Sequence, residues 1–197
     1  MTISSIEEIN TPRLILRQWQ ESDKIHFARL NADQEVMKFF PRKLTAEESG
    51  AMADRIRVGI DEKGWGFWAV ELKSENQFIG FIGVNQPMYN LPFSPCIEIG
   101  WRLARQYWGS GLATEGARAA LNIAFSKLEF DEIVSFTPLI NIPSISVMKK
   151  LGMTDSNQNF IHPQVPEDSS LSEHVLYKIT KDEWNHLADD NQYESIR

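Results

Sequence analysis

One stretch indicates the fold more than any other: Gln106-Tyr-Trp-Gly-Ser-Gly-Leu-Ala-Thr-Glu115. Its two glycines, Gly109 and Gly111, are one residue apart and let the backbone turn so that successive amide N–H groups converge. A helix beginning here would add about half a positive charge, so the loop suits a pyrophosphate. The stretch lacks the Gly-Lys-Ser/Thr of a Walker loop, and it lacks the third glycine of the dinucleotide fingerprint because position 114 is Thr114.

The flanks of this loop predict a strand before it and a helix after it. Between residues 96 and 103 the sequence alternates, with one face formed by Ile97, Ile99, Trp101 and Leu103 and the other by Cys96, Glu98, Gly100 and Arg102. After the loop, small and apolar residues keep helical spacing at Ala113, Ala117, Ala120, Leu121, Ala124 and Leu128. Such a stripe favours close packing of the helix on a sheet.

Further elements are predicted on the N-terminal side. The pattern indicates a strand over 12–19, then a helix over 23–30 capped by Ser22 or Asp23. Thr45 and Glu48 have the spacing of a capping box, which predicts a helix to about residue 62. The runs 67–72 and 78–84 predict a hairpin, and we expect an irregular loop over 91–95.

On the C-terminal side the pattern predicts a strand over 131–137 and a short helix over 143–151 that ends at Gly152. Two more strands are expected near 157–162 and 174–180, with a helical turn over 182–188. We expect the first ten residues and the tail from Asp189 to be loose. The mixture predicts an α+β fold, a single domain of 197 residues with its core at about 11–184.

Composition limits the classes of partner. The formal net charge of −7 predicts no binding to nucleic acid or to an anionic membrane, and it mildly favours a basic acceptor. The single cysteine, Cys96, allows neither an internal disulfide nor a cysteine-based metal site. Without a signal peptide or an apolar run of about 20 residues, we expect a cytoplasmic protein, monomeric or homodimeric.

Several motifs, in order along the chain, resemble those of the GNAT family of N-acetyltransferases. Gln106-x-x-Gly109-x-Gly111-x-Ala113 matches the family signature Gln/Arg-x-x-Gly-x-Gly/Ala. The segment from Glu98 to Ala104 resembles the fourth strand of the family, and 141–153 resembles the segment after its fifth strand. Thr11-Pro-Arg-Leu-Ile-Leu-Arg17 resembles the start of the branch that includes the ribosomal-protein alanine N-acetyltransferases.

The resemblance implies a mixed, mostly antiparallel sheet of about seven strands flanked by helices and splayed between strands four and five. The family places the pantetheine arm of acetyl-CoA in that gap, paired with strand backbone, and the pyrophosphate on the loop. The implied coenzyme-binding residues are Ile99, Trp101, Leu103, Gln106, Gly109, Ser110, Gly111, Ala113, Thr114, Asn141 and Ser144. Gly100 is expected to mark a bulge in this strand. The alternatives are a helix N-cap for Asn141 and close packing against an aromatic ring for Gly100.

The resemblance also implies direct transfer of the acetyl group to a primary amine, on a small molecule or a protein N-terminus, without a metal. The predicted catalytic residues are Glu98, as the base, and Asn141, near the thioester. A structural role for Glu98 remains open, with His162 and His174 as reserve bases. Met148 stands where many family members have a tyrosine acid. A non-catalytic acyl-CoA sensor and a different nucleotide-phosphate binder are the alternative functions.

Overall fold

The computed structural model of the chain describes residues 8–194, with side chains up to residue 187. Within that range it has nine strands, six α-helices and one 3-10 turn, Arg105–Tyr107. The strands are β1 Glu8–Asn10, β2 Leu14–Arg17, β3 Phe67–Leu72, β4 Gln77–Asn85, β5 Glu98–Leu103, β6 Glu132–Pro138, β7 Thr154–Asp155, β8 Phe160–Ile161 and β9 Glu173–Thr180. The helices are α1 Asp23–Ala32, α2 Gln34–Met37, α3 Ala46–Lys63, α4 Leu112–Ser126, α5 Ile142–Lys150 and α6 Lys181–Glu194.

The chain divides into two compact units, and the first comprises residues up to Asn85 together with Ile99–Leu121. Its strands lie in the order β1-β2-β3-β4-β5, and the pairs from β1 to β4 are antiparallel. Helix α1 packs against α3 and β4. Fully buried side chains, whose burial stabilises the unit, include Leu14, Leu16, Phe27, Trp68 and Ile82.

The second unit comprises Gln86–Glu98 and the residues from Asn122 onward. Strand β6 pairs with β9 along its whole length, and β7 and β8 also pair with β9, all antiparallel. Glu98, the first residue of β5, pairs in parallel with Val134. The core of the unit is a cluster formed by Leu91, Val134, Phe160 and Leu176.

The α+β class and the mostly antiparallel pairing are confirmed. The described strands number nine rather than about seven, and the additions are short. The splay between the fourth and fifth family strands, and the single-domain organisation, stay predictions. None of the helices within residues 8–194 is long and apolar enough to cross a membrane.

The capping predictions had different outcomes. At α3 the box is confirmed: the Thr45 side chain accepts from the Glu48 amide at 3.1 Å, and the Glu48 carboxylate accepts from the Thr45 amide at 2.8 Å. At α1, Ser22 occupies the N-cap position without a capping bond. Asp23 instead accepts two hydrogen bonds from Arg17 at 2.8 and 3.0 Å, so the side-chain cap predicted there was wrong.

Both chain ends are more ordered than predicted where the structure describes them. Strand β1 occupies Glu8–Asn10, within the segment expected to be loose, because it pairs with β2. Helix α6 continues to Glu194, past the predicted end at 188. It is anchored by Trp184, which is 7% exposed and packs on Phe125 with ring centroids 6.0 Å apart. Residues 1–7 and 195–197 lie outside the described range.

Candidate functional site

The loop between β5 and α4 has the backbone that an anion site requires. Gly109 and Gly111 have φ of 74° and 82°, the left-handed region that glycine adopts most readily. The amide of Glu115 bonds to the carbonyl of Gly111 at 3.0 Å, one helical turn back. The amides of residues 112–114 therefore precede the first intrahelical bond and are available to a ligand, as at any helix N-terminus.

Three hydrogen bonds fix the shape of this loop. The Ser110 hydroxyl donates to the Tyr107 carbonyl at 2.8 Å, and the Trp108 indole N–H donates to the Leu103 carbonyl at 2.8 Å. The Tyr107 hydroxyl donates to Glu75 at 2.8 Å. The loop is therefore held from β5 and from the turn between β3 and β4. Gln106, Gly109, Ser110 and Gly111 are exposed, whereas Ala113 and Thr114 are half-buried.

A carboxylate lies in the first turn of α4, and it is fully hydrogen-bonded. Glu115 accepts from the Thr11 hydroxyl at 2.7 Å, from the Arg13 amide at 2.9 Å and from Arg13 Nε at 2.6 Å. Burial raises the pKa of Glu115, but these hydrogen bonds outweigh it and the pKa is lowered overall. Glu115 is therefore ionised at neutral pH.

Arg13, just before β2, reaches this loop, and the sequence pattern did not indicate a role for it. Its Nη1 donates to the Ser110 carbonyl at 2.8 Å. Its Nη2 lies 3.5 Å from the point where a Cβ on Gly111 would stand. A guanidinium thus lies beside the amides that would receive phosphate. Because Arg13 and Ser110 are 97 residues apart in sequence, no local pattern indicates the contact.

The burial of strand β5 follows its predicted alternation only in part. Ile99 and Leu103 are buried at 1% and 4% exposure, whereas Trp101 is half-buried. A Cβ on Gly100 would lie 3.2 Å from the Phe67 ring, which favours the packing interpretation of that glycine over a bulge. Arg102, expected on the face opposite Ile99, is buried at 9% exposure, which the sequence did not indicate.

In the second unit, Asn141 caps α5. Its Oδ1 accepts from the Ser144 amide at 3.3 Å and its Nδ2 donates to the Thr137 hydroxyl at 2.7 Å. The N-cap role predicted as the alternative for Asn141 is therefore confirmed, whereas its contact with the coenzyme stays a prediction. Met148, at the usual tyrosine position, lies on α5 and is 1% exposed.

Glu98 lies at the start of β5 among groups whose pKa values are raised. Burial, and then the charge of Glu98, raise the pKa of the Tyr89 hydroxyl. Burial and Glu98 also raise the pKa of Cys96 to about 11, so that thiol stays protonated and is a poor nucleophile. Glu98 itself is half-buried. The predicted base thus has two protonated groups near it.

The two reserve bases, His162 and His174, lie together in the second unit with ring centroids 4.7 Å apart. His162 Nδ1 accepts from the Gln164 amide at 3.2 Å, so its proton is on Nε2, which lies 3.2 Å from the Tyr89 hydroxyl. Burial lowers the pKa of His162, and it lowers that of His174 to about 4. Both imidazoles are therefore neutral at pH 7.

The predicted residues thus fall into two sets. The loop residues and most of β5 lie in the first unit, whereas Glu98, Asn141 and Ser144 lie in the second. In the described residues, no group of three or more His, Cys, Asp and Glu side chains could hold a metal ion.

The chain is similar to known acetyltransferases over most of its length. Residues 13–154 match the family model described as an acetyltransferase (GNAT) domain. The chain is 30% identical to the uncharacterised N-acetyltransferase YnaD of Bacillus subtilis, covering 90% of this chain and 99% of that protein. It is also 30% identical to the FsC-acetyl coenzyme A-N(2)-transacetylase of Aspergillus fumigatus, covering 93% of this chain and 80% of that protein.

Solved structures are similar over the same length. A GNAT-family acetyltransferase from Bacillus anthracis has a TM-score of 0.74 and 25% identity, covering 89% of this chain and 99% of that one. The ribosomal-protein-S5-alanine acetyltransferase of Vibrio fischeri shares the fold, with a TM-score of 0.71 and 17% identity over 90% of this chain and 98% of that one. That likeness is one of fold, and the resemblance to its branch stays a prediction. The chain belongs to the GNAT family of acetyltransferases, which uses acetyl-CoA as co-substrate.

Proposed function

We propose that this protein transfers the acetyl group of acetyl-CoA directly to a primary amine, on a small molecule or a protein N-terminus. The observation that carries the proposal is the anion-ready loop of residues 106–114, with its two left-handed glycines ahead of α4. Pyrophosphate would bind the amides around Gly109, Ser110, Gly111, Ala113 and Thr114. The name of the Aspergillus relative, an N(2)-transacetylase, supports a nitrogen acceptor.

The remaining predicted residues would hold the pantetheine and the thioester. The backbone of Ile99, Trp101 and Leu103 would pair with the pantetheine amides in the manner of an added strand. The Asn141 and Ser144 side chains would lie near the thioester. The amine nitrogen then attacks the carbonyl carbon, and the bond to sulfur breaks as the thiolate leaves.

The step that most needs help is deprotonation of the amine. An amine of pKa ~10.4 costs about 4.6 kcal/mol to hold neutral at pH 7, whereas an unprotonated thiolate of pKa ~8.5 costs about 2 kcal/mol. A base therefore contributes more to the rate than an acid does. Having a buried methionine at position 148, rather than a tyrosine acid, therefore lowers the rate little. We assign the base to Glu98, which takes the proton directly or through a water molecule.

Glu98→Gln tests that assignment. We expect turnover at neutral pH to fall roughly 10²–10⁴-fold, the usual size of a general-base contribution. The loss should shrink as pH rises, because the free amine then forms without help, and acetyl-CoA affinity should stay unchanged. pH–rate profiles of both proteins on one responsive amine measure this. Parallel profiles with a small offset would make Glu98 structural and leave His162, His174 or a water chain as the base.

Gly111→Val provides a separate test of coenzyme binding. A β-branched residue at φ 82° is strained and places a Cβ where phosphate must approach, so acetyl-CoA binding measured by calorimetry should weaken. Unchanged affinity would contradict the loop assignment. Acetyl-CoA binding without turnover on any amine of a broad panel would instead favour the non-catalytic sensor.

A further inference from the structure

The first unit holds a buried guanidinium that the proposed reaction does not use. Arg102, on β5, is 9% exposed, and its Nη1 donates to Asn31 Oδ1 at 2.7 Å. Asn31 is 0% exposed, and its Nδ2 donates in turn to the Ser49 hydroxyl at 3.2 Å. The cation is thus fixed in place by α1 and α3, rather than free to turn toward water.

This cation has no carboxylate partner among the described residues. Its faces are covered by aromatic rings, with Cζ 4.0 Å from the Phe40 centroid and 5.4 Å from the Phe81 centroid. Burial lowers the pKa of Arg102 to about 10, and no neighbouring charge raises it. A buried charge without an opposite charge is costly, and it marks a place where an anion would be bound strongly.

One edge of the guanidinium is unused. Nε is sealed from solvent without a hydrogen-bond partner. Nη2 likewise makes no hydrogen bond within residues 8–194, where the bond to Asn31 comes from Nη1. Nε and Nη2 form one side of the planar fork, which matches the two oxygens of a carboxylate. Phe40, whose ring centroid lies 4.0 Å from Cζ, is itself 36% exposed, and a ligand would reach this edge by displacing its ring.

We propose that Arg102 binds a carboxylate of the acceptor, which makes the substrate an amine that also carries a carboxylate, such as an amino acid or a short peptide. The inference rests on the proposed function. Alternation along β5 puts Arg102 on the strand face of Glu98, opposite the Ile99 and Leu103 face. The other walls of the site are Asn31, on α1, and Phe40, in the segment between α2 and α3, and neither belongs to the phosphate loop. The positive charge of Arg102 therefore selects an acidic group, although the net charge of −7 mildly favours a basic acceptor.

The test uses acceptors in matched pairs, free amino acids and dipeptides against their C-terminal amides. With the wild type we expect kcat/KM to favour the acid over its amide by roughly 10–100-fold, as for a hydrogen bond to a charged group. Arg102→Met should abolish this preference, and Arg102→Lys should retain part of it. The control is Arg29→Gln, which removes an exposed arginine of α1 and should keep the full preference.

Calorimetry of the same pairs on the CoA-bound protein separates this proposal from the transfer reaction. Binding that requires both the carboxylate and Arg102 supports the site even if no amine is acetylated. Equal binding or turnover of acid and amide by the wild type overturns it, as does a preference that survives in folded Arg102→Met. A fall in acetyl-CoA affinity of Arg102→Met, with acceptor preference unchanged, would assign the anion to the coenzyme and overturn it too.

Discussion

Arg13 compensates for an acidic residue at the place where the coenzyme phosphates are proposed to bind. Glu115 is in the first turn of α4, where its negative charge would repel a pyrophosphate. Arg13 forms an ion pair with that carboxylate at 2.6 Å and keeps Nη2 directed toward Gly111. The pair therefore keeps the loop favourable to an anion, although an acid lies beside it.

A double-mutant cycle measures this compensation. Arg13→Gln should weaken acetyl-CoA binding about tenfold, ~1.4 kcal/mol, because it removes a charged donor and leaves Glu115 unpaired. In a Glu115→Gln background, Arg13→Gln should reduce the affinity for acetyl-CoA by clearly less than tenfold. Calorimetry of the four proteins gives the coupling, and Arg29→Gln controls for net charge. Strictly additive losses would mean that Arg13 and Glu115 act independently.

Residue contacts were predictable from the sequence only where partners are close along the chain. Thr45 and Glu48 are three residues apart, so one local pattern specifies their capping box. Arg13 and Glu115 are 102 residues apart, and Arg102 and Asn31 are 71 apart. These contacts exist only because the sheet forms, and so the burial of Arg102 was not foreseen.

At the scale of elements, β4 meets β5 so closely that one position allows no side chain. Gly80 has φ 145°, and a Cβ there would collide with the carbonyl oxygen of Arg102. The Ala104 amide donates to the Ile79 carbonyl at 2.8 Å just beside this contact. The backbone of β5 is therefore positioned against β4 by a glycine, and the Arg102 side chain with it.

Gly80→Ala should destabilise the protein by about 3 kcal/mol, because backbone must move to admit the methyl group. Chemical denaturation measures this as a lower midpoint. Gly59→Ala is the matched control: it adds the same methyl group in α3, where nothing lies within 4 Å, and should stabilise by up to about 1 kcal/mol. Equal midpoints for Gly80→Ala and the wild type would contradict the close approach.

Elements were predictable in proportion to their length. The hairpin of β3 and β4 was recognised from its apolar runs and α4 from its stripe of small residues, whereas α3 and α5 were recognised from the residues at their ends. Helix α2 and strand β7 have four and two residues, too few for any period, and both were missed. The end of α6 was misplaced because its polar sequence resembles a tail, whereas Trp184 anchors the helix by packing.

For the whole molecule, the buried His174 makes one contribution to the dependence of stability on pH. The Nδ1 of His174 donates to the Ser172 carbonyl at 3.2 Å, and burial holds its folded-state pKa near 4, below the usual 6.5. The unfolded chain therefore binds more protons than the folded one between these values. The contribution of neutral His174 to stability is complete above about pH 6.5 and is lost as pH falls toward 4.

His174→Gln should remove much of this acid sensitivity, on the order of 2 kcal/mol between pH 6.5 and 4. Urea denaturation at several pH values measures it as a flatter dependence of unfolding free energy on pH. His186, exposed on α6, supplies the control substitution, which should leave the slope as in the wild type. An unchanged slope in His174→Gln would assign the acid loss to other groups.

The hydrogen bond between the Arg13 amide and Glu115 couples hydrogen exchange just before β2 to the ligand binding proposed at the loop. That amide exchanges its hydrogen with solvent only when the contact with α4 opens. A ligand that holds the loop and α4 in place makes the opening rarer, since it binds the closed form alone. If acetyl-CoA binds this loop as proposed, hydrogen exchange at the Arg13 amide should slow as coenzyme occupancy rises, and binding should stabilise the contact between the N-terminal segment and α4.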